Sequence, residues 1–222
     1  MKSDSTLTRG APRHIAVEGP IGVGKTSLCK RLAATFQYQL LLEKSDENPF
    51  LDRFYQDRRQ HALATQLFFL FQRAQQIQEL RQEDMFSAVR VADFLIDKDR
   101  LFARQTLDPD EFEIYENVYR HLTLDAPRPD LVIYLQAPTD TLLHRIQRRG
   151  ITSEQYIERS YLDQLNAAYT EFFHYFDATS LLIVNSTQID LVGNDSDYEQ
   201  LVDYILKLPS GTHYYNPRPT LL

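Results

Sequence analysis

Apolar positions along the chain fall into short buried-type runs separated by longer stretches of helical spacing. Ile15 to Gly19 reads as a short buried strand and Thr26 to Phe36 as a helix, with glycines between them. YQLLLE, Tyr38 to Glu43, is a second strand; DENPFLDRFY opens a short helix, and His61 to Gln82 has the length and unbroken pattern of a long one. AVRVADFLI, Ala88 to Ile96, is strand-like, and DPDEFEIYENVYRHL is helical with an acidic start. DLVIYLQA, Asp130 to Ala137, is the clearest buried strand, entered through PRPD and followed by a proline. TDTLLHRIQRRG is a helix with a basic C-terminal end closed by Gly150, SLLIVNS a fifth strand, and DSDYEQLVDYILKL a final helix. Strands alternating with helices predict an α/β fold: a five-stranded parallel sheet covered on both faces.

Length and composition narrow the class. With 222 residues and 43% hydrophobic content, the chain fits one domain with a sizeable core. That domain is expected over residues 14–208, with 1–13 and a 209–222 tail as loose ends. One cysteine, Cys29, excludes an internal disulfide. No apolar run has the length of a membrane span, and the N-terminus lacks the apolar core of a secretory signal, so a cytosolic location is expected. A net charge of -7 argues against a broad nucleic-acid surface but leaves room for a small positive nucleotide site.

Chemistry concentrates at five places. Gly19, Gly24, Lys25 and Thr26 realise the pattern G-x-x-x-x-G-K-[ST] between a strand and a helix, within GPIGVGKTS, which also contains Gly22 and Ser27. In such a loop, backbone amides approach phosphate oxygens, the lysine neutralises them, and the hydroxyl can hold Mg²⁺. Glu43 ends the second strand, and in an open parallel sheet ligands sit beyond the carboxyl ends of strands, a placement that suits a base for an alcohol nucleophile. A solvated strand-end carboxylate is the competing reading. Gln66 and Arg73 lie seven residues apart on one face of the long helix, where an amide and a guanidinium suit a nucleobase edge. By helix pattern alone, a solvent-facing polar stripe is the simpler reading. Asp93, Asp97 and Asp99 form an acidic set; Asp93 is placed to bind Mg²⁺ and Asp99 to orient Arg73, with solvated loop carboxylates as the alternative. Arg145 and Arg149, one helical turn apart before Gly150, suit a closing lid, although the helix dipole alone also favours them there. The six histidines show no metal-ligand spacing. FFLF, Phe68 to Phe71, suits core or a subunit interface.

Together these segments resemble the deoxynucleoside kinases of the deoxycytidine and deoxyguanosine kinase type, over roughly Ile15 to Phe176. The resemblance implies a phosphate-loop kinase fold with an arginine-rich lid. It also implies ATP and Mg²⁺ as cofactors, a deoxynucleoside as acceptor, and a homodimer. EGPIGVGKTS is similar to the family's phosphate loop, and NPFLDRFYQD to the segment whose tyrosine, here Tyr55, binds the sugar 3′-hydroxyl. ATQLFFLFQRAQQ is similar to the helix that reads the base, which implies that role for Gln66 and Arg73 with Asp99 as partner. HRIQRRGITSEQYIERSYLDQL is similar to the lid, with Arg145 and Arg149 on phosphate and Glu154 on the sugar. By the same match Glu43 activates the 5′-hydroxyl, while Thr26 and Asp93 organise Mg²⁺. Deoxyadenosine, deoxycytidine or deoxyguanosine is favoured over thymidine; the competing readings are a nucleoside monophosphate kinase and a weakly active nucleotide-binding regulatory protein.

Two positions depart from the family pattern. The family has an acid, Arg and Ser where this chain has Asp93, Phe94 and Leu95, and often Arg where it has Ile151. Lys98, Arg148 and Arg100 are the candidate substitutes for the missing cations.

Overall fold

The computed structural model describes residues 11–82, 89–123 and 126–216. Its first strand, β1 (His14–Glu18), is buried beyond its first residue. The phosphate loop follows, and then α1 (Lys25–Phe36), which buries Leu28, Cys29, Leu32, Ala33 and Phe36, one stripe of an amphipathic helix. β2 (Gln39–Leu41) precedes a 3₁₀ turn at Ser45–Glu47, α2 (Leu51–Gln56) and the long α3 (Arg58–Gln82). β3 (Arg90–Ala92) leads to α4 (Asp97–Thr106) and α5 (Pro109–Leu122). The start of α5 is fixed by a reciprocal capping box between Asp108 and Glu111, with Pro109 in the first turn. β4 (Leu131–Gln136), α6 (Thr139–Arg149), a 3₁₀ turn at Ser153–Tyr156, α7 (Arg159–His174) and β5 (Ser180–Asn185) come next, followed by α8 (Asp195–Leu206) and β6 (Thr212–Tyr215).

The strands form one parallel sheet in the order β2-β3-β1-β4-β5-β6. β1 is central, with β3 on one side and β4 on the other, so the chain changes direction across the sheet there. Loops leaving the carboxyl ends of β1, β2 and β3 therefore meet at one crevice, where this architecture binds ligands.

The sheet has six strands rather than the expected five. Thr212–Tyr215 lies in the expected tail and pairs with β5, in register Leu181 with Thr212. It is a half-exposed edge strand whose exposure alternates, so it lacks the apolar run that marks the inner strands. The expected third strand is shorter than Ala88–Ile96; Ala88 lies outside the described residues. Its downstream half turns at Asp93 and enters α4, a helix the apolar pattern did not predict. Asp97 and Asp99, for which solvated loop carboxylates are the alternative reading, occupy the first helical turn, where the dipole favours acids.

The core lies on both faces of the sheet. On one face Tyr134 stacks on Phe173 with centroids 4.2 Å apart, and Tyr169 and Phe176 extend the cluster. A second cluster of Leu70, Ala103, Tyr115 and Tyr119 joins α3, α4 and α5. Phe173 is 3% exposed, so Phe173→Ala is expected to cost about 3–5 kcal/mol, read as a lower urea midpoint with an unchanged slope.

Candidate active site

The phosphate loop is shaped by glycines that admit no side chain. Gly19 has φ 146° and a Cβ there would lie 2.4 Å from the Leu135 carbonyl oxygen; at Gly22, with φ 81°, it would lie 2.8 Å from Ile146 Cγ1. The loop thus nests against β4 and α6. Lys25 is folded back over it, its Nζ donating to the carbonyls of Gly19 at 2.8 Å and Pro20 at 3.2 Å. Burial first, then the positive charge of Lys98, lowers the Lys25 pKa to about 8.

Asp93, at the end of β3, ties this loop to the second strand. Its Oδ2 accepts from Thr26 Oγ1 at 2.6 Å, and its Oδ1 from the Glu43 amide at 2.7 Å. Hydroxyl and carboxylate side by side are hard oxygen donors of the kind Mg²⁺ takes together with phosphate. Among the described residues no cluster of three or more His, Cys, Asp or Glu could hold a metal ion, so a cation here would rely on ligand oxygens.

Beyond Glu43 lies a cavity of about 140 Å³ whose lining includes Lys25, Thr26, Glu43, Tyr55, Gln66, Arg73, Asp93, Asp99, Arg149 and Glu154. The structure therefore brings together residues spread from the phosphate loop to the lid. Gln66 and Arg73 are 6% and 3% exposed, which rules out a solvent-facing stripe; α3 turns this polar face inward. Arg73 bridges two carboxylates, Asp99 through Nη1 and Glu43 through Nη2. Its Nε and Asp99 Oδ2 are buried without a hydrogen-bond partner. Gln66 Nε2 donates to Thr106 Oγ1 at 3.4 Å. Tyr55 is half-buried, and burial raises the pKa of its hydroxyl well above the ordinary value. Glu154 pairs with Arg149, whose Nε reaches it at 3.0 Å.

The position of the absent arginine is explained by its neighbours. Phe94 is 5% exposed and its ring centre lies 5.7 Å from the Arg73 guanidinium carbon, which also has the Phe69 ring at 5.3 Å. A cation lies nearby in the first turn of α4: Lys98, 4% exposed, is 3.7 Å from Glu43 and 3.6 Å from Glu18. Of the other two candidates, Arg100 turns away to pair with Glu116 at 2.8 Å, and Arg148 borders a different cavity. Asp97 also lies outside the Glu43 cavity, lining hollows on the other side of α4. Ile151 is 44% exposed.

Glu18 was not singled out by its sequence, since it ends an apolar strand with no motif of its own. It is fully buried, accepting from the Gly19 amide at 3.0 Å, the Leu95 amide at 2.7 Å and the Tyr169 hydroxyl at 3.0 Å.

A second cavity of about 600 Å³ opens on the far side of the phosphate loop, lined by Gly22, Gly24, Ser27, Arg145, Arg149 and the loop Ser186–Val192. Arg145 spans it, donating to the Val23 carbonyl at 3.3 Å and to the Ser186 carbonyl at 2.6 Å. Arg149 borders both cavities. The Ser186–Val192 wall had no sequence signal, because it is polar loop after a strand.

A parallel α/β sheet with a phosphate loop at its switch point defines a phosphate-loop nucleotide-binding protein. The family model described as deoxynucleoside kinase matches residues 15–208. The chain is 36% identical over 199 residues to a deoxyguanosine kinase of Bacillus subtilis, covering 87% of this chain and 96% of the relative. It is 30% identical over 201 residues to a deoxyadenosine/deoxycytidine kinase of the same organism, covering 86% of this chain and 90% of that one. A solved deoxyadenosine kinase from M. mycoides shares the fold at TM-score 0.75 and 22% identity, over 88% of this chain and 100% of that one. The chain belongs to the deoxynucleoside kinase family and is an enzyme that phosphorylates deoxynucleosides.

Removing one partner from a buried ion cluster leaves the others uncompensated. Glu18→Gln is therefore expected to cost about 3–5 kcal/mol in stability, measured by denaturant titration, because Lys98 and the Leu95 amide lose their buried carboxylate.

Proposed function

We propose that the protein transfers the γ-phosphoryl group of ATP to the 5′-hydroxyl of deoxyadenosine, deoxycytidine or deoxyguanosine, as part of nucleotide salvage. The observation that carries this reading is the junction of two cavities at one phosphate loop, with Glu43 in the smaller and Arg149 bordering both. ATP occupies the larger cavity, its phosphates on the loop amides and Lys25. Thr26 and Asp93 would hold Mg²⁺, which supplies charge neutralisation of the phosphates when bound.

In the smaller cavity Tyr55 and Glu154 hold the sugar, while Gln66, Arg73 and Asp99 meet the base. The orphan Arg73 Nε and Asp99 Oδ2 are the polar groups a base would satisfy. Glu43 takes the proton of the attacking hydroxyl. Arg145 and Arg149 face the charge that develops on the transferred group, where fixed cations lower the barrier. Lys98 supplies the positive charge beside Glu43 that Phe94 cannot. A homodimer and a cytosolic location belong to the same proposal; among the described residues no helix is long and apolar enough to cross a membrane.

A phosphoryl-transfer assay with Mg²⁺ and ATP against the four deoxynucleosides and their monophosphates tests the activity. Turnover of at least one purine deoxynucleoside or deoxycytidine is expected, and activity on monophosphates alone would sink the reading. Glu43→Gln should lower kcat by about 10²–10⁴-fold while leaving ATP affinity close to wild type.

Lys25 gives a pH signature. With its pKa near 8 in the free protein, about half of it is unprotonated at pH 8, and a triphosphate favours the charged form. ATP binding should therefore take up about half a proton at pH 8 and almost none at pH 6.5, measured by calorimetry in buffers of different ionisation enthalpy. No uptake at pH 8 would contradict this placement of Lys25.

A further inference from the structure

The helix that begins at the phosphate loop is fastened to the wall of the larger cavity largely through one side chain. Arg31 lies on α1, one turn after Ser27. Its Nη1 donates to the carbonyls of Leu191 at 3.2 Å and Val192 at 3.1 Å, and its Nη2 to Asp195 Oδ1 at 2.6 Å. The guanidinium carbon sits 3.9 Å from the centre of the Tyr198 ring, and the Tyr198 hydroxyl meets Thr35 Oγ1 at 2.6 Å. Asp195 is 85% exposed, so that ion pair by itself would contribute little; the two main-chain carbonyls make this a built contact.

The loop is also closed on itself. Asp190 Oδ1 accepts from the amides of Val192 at 3.0 Å and Gly193 at 2.8 Å, and these hydrogen bonds hold its carboxyl below the usual range. A Cβ at Gly193 would fall 2.7 Å from Asp190 Oδ2. Carbonyls on the α1 side are thus committed to Arg31 and amides to Asp190, while Thr187 to Asp190 border the cavity. At its phosphate-loop end the cavity is lined by Gly22, Val23, Gly24 and Ser27, and the Arg31 guanidinium bonds to none of them.

We propose that Arg31 is a positioning residue for the base of the donor nucleotide: it fixes the separation between the phosphate loop and the 187–192 wall, and so sets affinity and preference for ATP. This rests on the larger cavity being the donor site. Binding of Mg-ATP and of Mg-tripolyphosphate, which lacks a base, is compared by calorimetry in wild type, Arg31→Ala and Arg31→Lys. Arg31→Ala should weaken ATP about tenfold and leave tripolyphosphate within about twofold. The KM for ATP should rise in parallel, the kcat at saturating ATP and the nucleoside KM should hold, and the ATP-to-GTP preference should narrow. Arg31→Lys, which keeps a cation facing Asp195 but loses the fork, should fall between the two and carries the comparison if the alanine variant does not fold. Unchanged ATP affinity, equal weakening of both ligands, or wild-type protein that holds tripolyphosphate as tightly as ATP would each overturn the proposal. Wild-type protein that binds ATP but phosphorylates no deoxynucleoside would refute the proposed activity alone and leave the Arg31 comparison standing.

Discussion

A carboxylate at the carboxyl end of the central strand organises this molecule. Glu18 is withdrawn from water, and such a group persists only when its oxygens are satisfied. Its partners come from the phosphate loop at Gly19, the turn after β3 at Leu95, α4 at Lys98 and α7 at Tyr169. Three stretches of chain, the phosphate loop, residues 95–98 and α7, therefore converge on one side chain. The turn after β3 brings Asp93 beside Thr26 and the Glu43 amide, and α4 carries Asp99 to Arg73. Both cavities border the phosphate loop that Glu18 anchors.

Burial explains why the charges in the smaller cavity must be read as a set. Arg73, Lys98, Asp99 and Glu18 are all nearly inaccessible, and an unpaired charge in such surroundings is strongly disfavoured. Desolvation lowers the pKa of Arg73 and of Lys98, while Glu18 acts on both in the opposite sense. The exchange of an arginine for Phe94 fits this arrangement. An aromatic ring beside Arg73 needs no hydrogen bonds, and a lysine in the first turn of α4 lies beside Glu43 and Glu18.

The strands, the helices and the phosphate loop were legible because each has a local signature: apolar runs, helical spacing, and glycines between strand and helix. Gln66 and Arg73 were legible as a same-face pair, yet their pattern on α3 pointed outward; only α4 and α5, packed over that face, turn it into the interior. α4 itself escaped notice because its acidic first turn reads as loop, and β6 because an edge strand needs no continuous apolar run. Glu18 and the Ser186–Val192 wall carry no motif at all. What identifies them is convergence of distant segments, which spacing along one chain does not encode.

The pairing of Arg149 with Glu154 has a thermodynamic consequence. Arg149 borders both cavities, so on the proposed assignment its charge is shared between donor and acceptor binding. A ligand that draws Glu154 toward itself changes the cation available on the other side, and a ligand that draws Arg149 away frees the carboxylate in turn. Reciprocity then requires each ligand to alter the other's affinity by the same factor. On that assignment one ion pair makes the two proposed sites a single linked equilibrium, in which order of binding affects rates but not the final free energy.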